Sequence, residues 1–125
     1  MGTDESQSYL SVKVADVWAV QDAVNRIYRE SVKWARLRAL PRVRIVTLTQ
    51  ALGDHTRRIL TTSTTDGVFT LTVVTMRHWL DLLNRLKNAV VSAQVVDNSQ
   101  RTFALMWVKK ARLTIMGYIQ LSLPL

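Results

Sequence analysis

The sequence predicts an α+β domain: an antiparallel sheet of about five strands with two helices beside it, in the order α-β-β-β-α-β-β. Three observations carry that expectation. Apolar residues recur at helical spacing before Pro41. After Pro41 the pattern turns to alternation in stretches rich in Val, Ile and Thr, with Asp66-Gly67 as a turn signal among them. A second helical stripe starts at Met76. Residues 1–12 read as a mobile acidic arm, and 13–125 as a single domain long enough to bury a core.

The first helix is predicted from Val14 to about Ala39. At 100° per residue Val17, Val20, Val24, Ile27, Trp34 and Ala35 share an arc of about 100°, with Tyr28 at its edge. Arg26, Arg29, Lys33 and Arg36 fall together on the opposite arc. Pro41 ends the helix, because proline disfavours helical backbone in the residue before it.

Three strands follow. Arg42–Gln50, Thr56–Thr64 and Val68–Thr75 are rich in strand-forming residues. Ala51-Leu52-Gly53-Asp54 reads as the first turn. Asp66-Gly67 reads as the second, since a two-residue type I′ hairpin needs φ > 0 at both central positions.

Thr75 is an expected N-cap for a helix from Met76 to about Ala93. Trp79, Leu82, Leu83, Leu86, Val90 and Ala93 form its apolar stripe, and Asp81–Arg85 an i, i+4 pair on its wet face. Asp97-Asn98-Ser99-Gln100 reads as a turn. Arg101–Val108 and Arg112–Leu123 then read as two more strands, although 101–111 also fits a short helix. No internal repeat shows in the sequence.

Composition narrows the chemistry. The chain has no cysteine, which removes disulfides, thiolate metal sites and a Cys nucleophile. His55 and His78 share no spacing with each other or with acids that would suggest a triad or a metal site. The carboxylates are scattered, and Gly2, Gly53, Gly67 and Gly117 are too isolated for a phosphate loop. The expectation is a non-enzymatic protein without cofactor, metal or small-molecule substrate. The N-terminus carries acids where a secretory signal has cations, and no apolar run reaches the roughly 20 residues of a membrane span. An intracellular protein is expected, with Gly2 and Ser6 also fitting the loose N-myristoylation pattern.

Charge points to a partner. The formal net charge is +8. Between Arg26 and Arg58 nine cations face only two acids, Glu30 and Asp54. A localised cationic surface attracts polyanions and speeds their encounter. Arginine binds phosphate bidentately and stacks on bases. Candidate nucleic-acid contacts are therefore Arg26, Arg29, Lys33, Arg36, Arg42, Arg44, Arg57 and Arg58. Trp18, whose helical angle matches Arg29 and Arg36, is the candidate stacking residue. Trp34, Trp79 and Trp107 are expected in the core.

The stretch from Gly67 through Phe69, Leu71, Thr72 and Trp79 to Leu86 resembles the end of the positive-cofactor-four and Whirly-type single-strand binders. There a last strand leads straight into a helix with an early Trp and a Leu-rich face. The resemblance implies dimers or larger rings that grip single-stranded nucleic acid on curved sheets. It covers about a quarter of the chain.

The expected function is thus non-catalytic binding of nucleic acid, with single-stranded DNA or RNA favoured over sequence reading of duplex DNA. The alternative is a structural or assembly protein, a viral one among the options, whose basic face meets an anionic membrane or an acidic partner. A homo-oligomer is also expected. If Phe103, Leu105 and Trp107 alternate with Ala104, Met106 and Val108 along a strand, both of its faces need cover.

Overall fold

The structure, a computed structural model, describes residues 8–35, 40–93 and 97–122. These residues form four helices and a three-stranded sheet, not two helices and five strands. In chain order they are β1 (Tyr9–Lys13), α1 (Val14–Ala35), α2 (Leu40–Leu60), β2 (Thr64–Thr65), β3 (Val68–Thr72), α3 (Val73–Ser92) and α4 (Asn98–Ser122).

Two segments correct the expected fold. Arg42–Gln50 and Thr56–Leu60 belong to α2, despite their β-branched content. Ile45, Thr49, Leu52, Thr56 and Ile59 bury their side chains at helical spacing, so packing overrides local strand preference. The threonines fit because their hydroxyls bond back one turn: Thr49 to the Ile45 carbonyl at 3.0 Å and Thr56 to that of Leu52 at 2.8 Å. Ala51 to Asp54 is therefore mid-helix. Pro41 lies in the first turn of α2, where no intrahelical N–H is required of it.

Residues 101–123 are the second correction, since α4 takes up both expected strands and their link as far as Ser122. Ala104, Val108, Ala111, Ile115 and Ile119 are buried, again at helical spacing. Asp97 caps this helix instead of making a plain turn. Its Oδ1 accepts the Gln100 N–H at 2.9 Å, and Gln100 Oε1 accepts the Asp97 N–H at 3.3 Å, a capping box. With Phe103–Val108 helical, the argument from a two-faced apolar strand to a second subunit no longer holds.

Other expectations are met. Asp66 and Gly67 have φ of 55° and 75°, and Thr64 and Thr65 pair with Phe69 and Val68 across that turn. Val17, Val20, Val24 and Ile27 are buried on α1, and the α3 stripe from Trp79 to Val90 is buried as read. The α3 helix starts earlier than expected, at Val73. Its cap is Thr72, whose hydroxyl accepts the Thr75 N–H at 3.0 Å. Tyr9 to Val12, read as part of the arm, run in β1, where Val12 is buried.

The sheet order is β1-β3-β2, with Ser11 opposite Thr70 at the middle of the antiparallel β1–β3 pair. The edge strand β1 and the central strand β3 each run without a loop into a helix. Each helix adjoins two others: α1 packs on α2 and α4, and α3 on α2 and α4. The core lies inside this ring of four, and Val12, Phe69 and Leu71 of the sheet close one end of it.

The chain is a duplication that the sequence reading missed. A shift of 59 residues carries β1-α1-α2 onto β3-α3-α4, with α1 beginning at Val14 and α3 at Val73. The junction hydrogen bonds repeat with it: Val14 N–H donates to the Gly67 carbonyl, and Val73 N–H to that of Ser8, both at 3.0 Å. Buried positions repeat as well. Val17, Val20, Val24 and Ile27 match Met76, Trp79, Leu83 and Leu86; Ile45, Thr49, Leu52 and Thr56 match Ala104, Val108, Ala111 and Ile115. Asp22-Ala-Val-Asn-Arg-Ile27 aligns with Asp81-Leu-Leu-Asn-Arg-Leu86, and both Asp–Arg pairs form, each at 3.0 Å.

Candidate nucleic-acid interface

Two lines of side chains meet in the groove between α1 and α4. On α1, Arg26, Arg29, Glu30 and Lys33 recur at spacings of three, four and seven, so they project from one side of the helix. On α4, Phe103, Trp107, Lys110 and Thr114 do the same. Phe103 joins Arg26, Arg29, Glu30 and Lys33 around a cavity of about 460 Å³. Arg26, Trp107 and Lys110 continue the groove with Ala19, Asp22, Ala111 and Thr114, around a further 310 Å³ or so.

The rings and cations are in contact. The Arg26 guanidinium carbon lies 4.6 Å from the Trp107 ring centroid, and Lys110 Nζ 5.1 Å from it. Such contacts contribute about 0.5–1 kcal/mol each when exposed, and more when water is excluded. Phe103 stands edge-on to Trp107, with centroids 6.4 Å apart and an interplanar angle of 61°. The two acids of the groove are occupied: Asp22 pairs with Arg26 at 3.0 Å, and Glu30 with Lys33 at 3.3 Å. Arg29 donates to the Asn25 carbonyl at 3.4 Å and has no carboxylate partner among the described residues.

The expected contact set is divided among different surfaces. Arg26, Arg29 and Lys33 share this groove. Arg36 lies outside the described residues, as does the side chain of Arg42. Arg44 is exposed in the first turns of α2. Arg57 pairs with Asp54 and lines a cleft on the other flank of α1, with Asn25, Tyr28 and Gln50. Arg58 turns instead toward His55, Thr70 and Thr72. Arg44, Arg57 and Arg58 stand on a helix, so no basic strand face continues the ridge.

Trp18 is exposed, at 57% of its full accessible surface. It sits two turns before Arg26, about 12 Å along the axis at 1.5 Å per residue, and is not among the groove's lining residues. The aromatic residues that do accompany the cations are Phe103 and Trp107, which the strand reading placed elsewhere. Their signal was present: 103 and 107 start a helical stripe that continues to Lys110. Trp79 is in the core as expected, Trp107 is half-buried in the groove, and the side chain of Trp34 lies outside the described residues.

A second cluster lies between α2 and α3. His55, expected in a solvated turn, is half-buried on α2 with its ring edge-on to His78 at 4.8 Å. Its Nε2–H donates to the Thr75 carbonyl at 3.1 Å. Burial holds the His55 imidazole below its usual value of 6.5; the Thr75 bond opposes this, and His78 and Arg58 add to it. Near the sheet, Tyr118 donates to Asp16 and accepts the Lys13 N–H at 3.2 Å. Burial, then the Asp16 carboxylate, raises the Tyr118 phenol above its usual 10.0.

Compared with protein-family models, with curated proteins and with solved structures, the chain matches none. Among the described residues no helix is long and apolar enough to cross a membrane.

Proposed function

We propose that this protein is a non-catalytic nucleic-acid-binding module that holds its ligand, single-stranded DNA or RNA in preference to duplex, in the α1–α4 groove. The observation that carries the reading is the meeting of Arg26, Arg29, Lys33 and Lys110 with the rings of Phe103 and Trp107 in one channel. Cations neutralise phosphates and release condensed counterions, while rings offer base-sized apolar faces. An anionic membrane would attract the same cations and accept rings at its interface, so vesicles are the competing ligand in the test.

The test is binding to a labelled single-stranded oligonucleotide and to anionic vesicles over a salt series. Each neutralised phosphate contributes about −0.7 to the log–log salt slope for single strands, so four cations give a slope near −3. Replacing Arg29, Lys33 and Lys110 with Gln should lower oligonucleotide affinity tenfold or more and flatten the slope, without changing the melting temperature. Vesicle binding stronger than oligonucleotide binding, or a triple variant with the parent's affinity, would overturn the reading.

A further inference from the structure

The duplication supplies an internal control for the groove. Positions in its two halves face the same core and make the same junctions, so a difference between mates is not demanded by the fold. The mate of the α1–α4 groove is the α2–α3 groove. Where the first has Phe103, Trp107 and Lys110, the second has Arg44, Leu48 and Ala51. Where the first has Arg29 and Lys33, the second has Asn88 and Ser92. Asp22 and Arg26, by contrast, recur as Asp81 and Arg85 and make the same ion pair. The ion pair therefore belongs to the scaffold, and the two rings and three cations belong to one groove alone.

Within that groove the two rings differ in availability. Trp107 is engaged by Arg26 and Lys110, and its indole nitrogen is buried without a hydrogen-bond partner among the described residues. Its ring props Phe103 edge-on. Phe103 is partly exposed and borders the open cavity that Arg29 and Lys33 also line.

We infer that Phe103 is a nucleobase-stacking platform: one base of a single strand lies on its ring while Arg29 and Lys33 hold the flanking phosphates. Trp107 is a positioning residue that fixes the Phe103 edge and the Arg26 guanidinium. This inference rests on the nucleic-acid reading of the groove and adds to it the part of the ligand that is recognised. Duplex DNA keeps its bases stacked inside and cannot use the platform. A strand with phosphates but no bases keeps the electrostatic attraction and loses the rest.

The experiment compares three labelled probes of about 15 nucleotides, a length within the range one single-strand site accommodates: an oligothymidylate, an abasic strand of equal length and charge, and a duplex. Stacking of one base contributes about 1–3 kcal/mol, or roughly 5- to 150-fold in affinity. The parent should bind oligothymidylate at least fivefold tighter than the abasic strand. Phe103→Leu, which keeps an apolar side chain in the helix, should abolish that preference without changing abasic affinity or salt slope. Phe103→Trp should restore it.

A parent that binds both single strands equally would overturn the stacking inference and leave the electrostatic reading standing. A parent that binds none of the probes would overturn both. If Phe103→Leu weakens all probes alike, or Phe103→Trp fails to restore base preference while melting like the parent, the ring is structural and the inference is wrong.

Discussion

The indole N–H of Trp79 donates to the hydroxyl of Thr56 at 3.0 Å, across the buried contact between α3 and α2. Thr56 is fully buried, and its hydroxyl donates a hydrogen bond to the Leu52 carbonyl at 2.8 Å. One hydroxyl therefore satisfies a core tryptophan that has no access to water. Thr56→Val keeps the shape and removes the acceptor. It should destabilise the protein by about 1–3 kcal/mol, the cost of a buried unpaired donor. Thr56→Ser should recover most of this. Denaturant unfolding checks both, and a valine variant as stable as the parent would mean that the N–H has another partner.

The Asp97–Gln100 box begins α4, the helix that supplies Phe103 and Trp107 to the groove. Asp97→Ala leaves the Gln100 N–H without its side-chain partner and should cost about 0.5–2 kcal/mol in denaturant unfolding. Its effect on oligonucleotide binding should be small at temperatures where the variant stays folded. A large loss of binding with unchanged stability would place Asp97 in the interface.

What was legible in the sequence follows from what each signal rests on. The α1 and α3 stripes, the Asp66-Gly67 hairpin and the buried Trp79 depend on local pattern, and the chain obeys it. The regions of α2 and α4 carry strand-forming Val, Ile and Thr, and short stretches of them alternate well enough to pass for strands. Their helical period shows only over longer windows, as 45, 49, 52, 56 and 104, 108, 111, 115. The capping box of α4 is readable from Asp97 and Gln100, but Asp-Asn-Ser-Gln is equally a turn sequence. The duplication was hidden because even the Asp22–Ile27 segment shares only its Asp, Asn and Arg with Asp81–Leu86, and few other residues match between the halves; its evidence is burial and hydrogen bonding. The groove was half legible. Arg26, Arg29 and Lys33 follow from helix geometry, whereas Phe103, Trp107 and Lys110 reach them only once α4 packs on α1.

His55 gives the protein a pH dependence of defined sign. Its folded-state pKa lies below the 6.5 of a free imidazole, first because burial disfavours the cation. The unfolded chain therefore binds a proton that the folded one resists, so stability falls as pH drops below about 6.5. Arg58 and His78 face the ring and work in the same direction, while the Thr75 carbonyl partly offsets them. Melting temperature should fall between about pH 7.5 and pH 5.5, and His55→Gln should reduce that fall. Equal pH slopes for parent and variant would exclude His55 as the cause.

Ile27 and Leu86 are mates in the duplication, and both are fully buried. Each half contributes one helix to either side of the ring: α1 packs on α4 as well as α2, and α3 on α2 as well as α4. The buried side chains of both halves form one continuous cluster. Ile27→Ala and Leu86→Ala should each cost about 2–5 kcal/mol. Both should shift one cooperative transition, seen alike by tryptophan fluorescence and by circular dichroism. If Ile27→Ala instead separates an early transition of α1 and α2 from a later one of α3 and α4, the halves are independent folding units. The α1–α4 groove would then open whenever the first half unfolds, and oligonucleotide binding would be lost at the early transition. With a single shared core, groove and fold melt together.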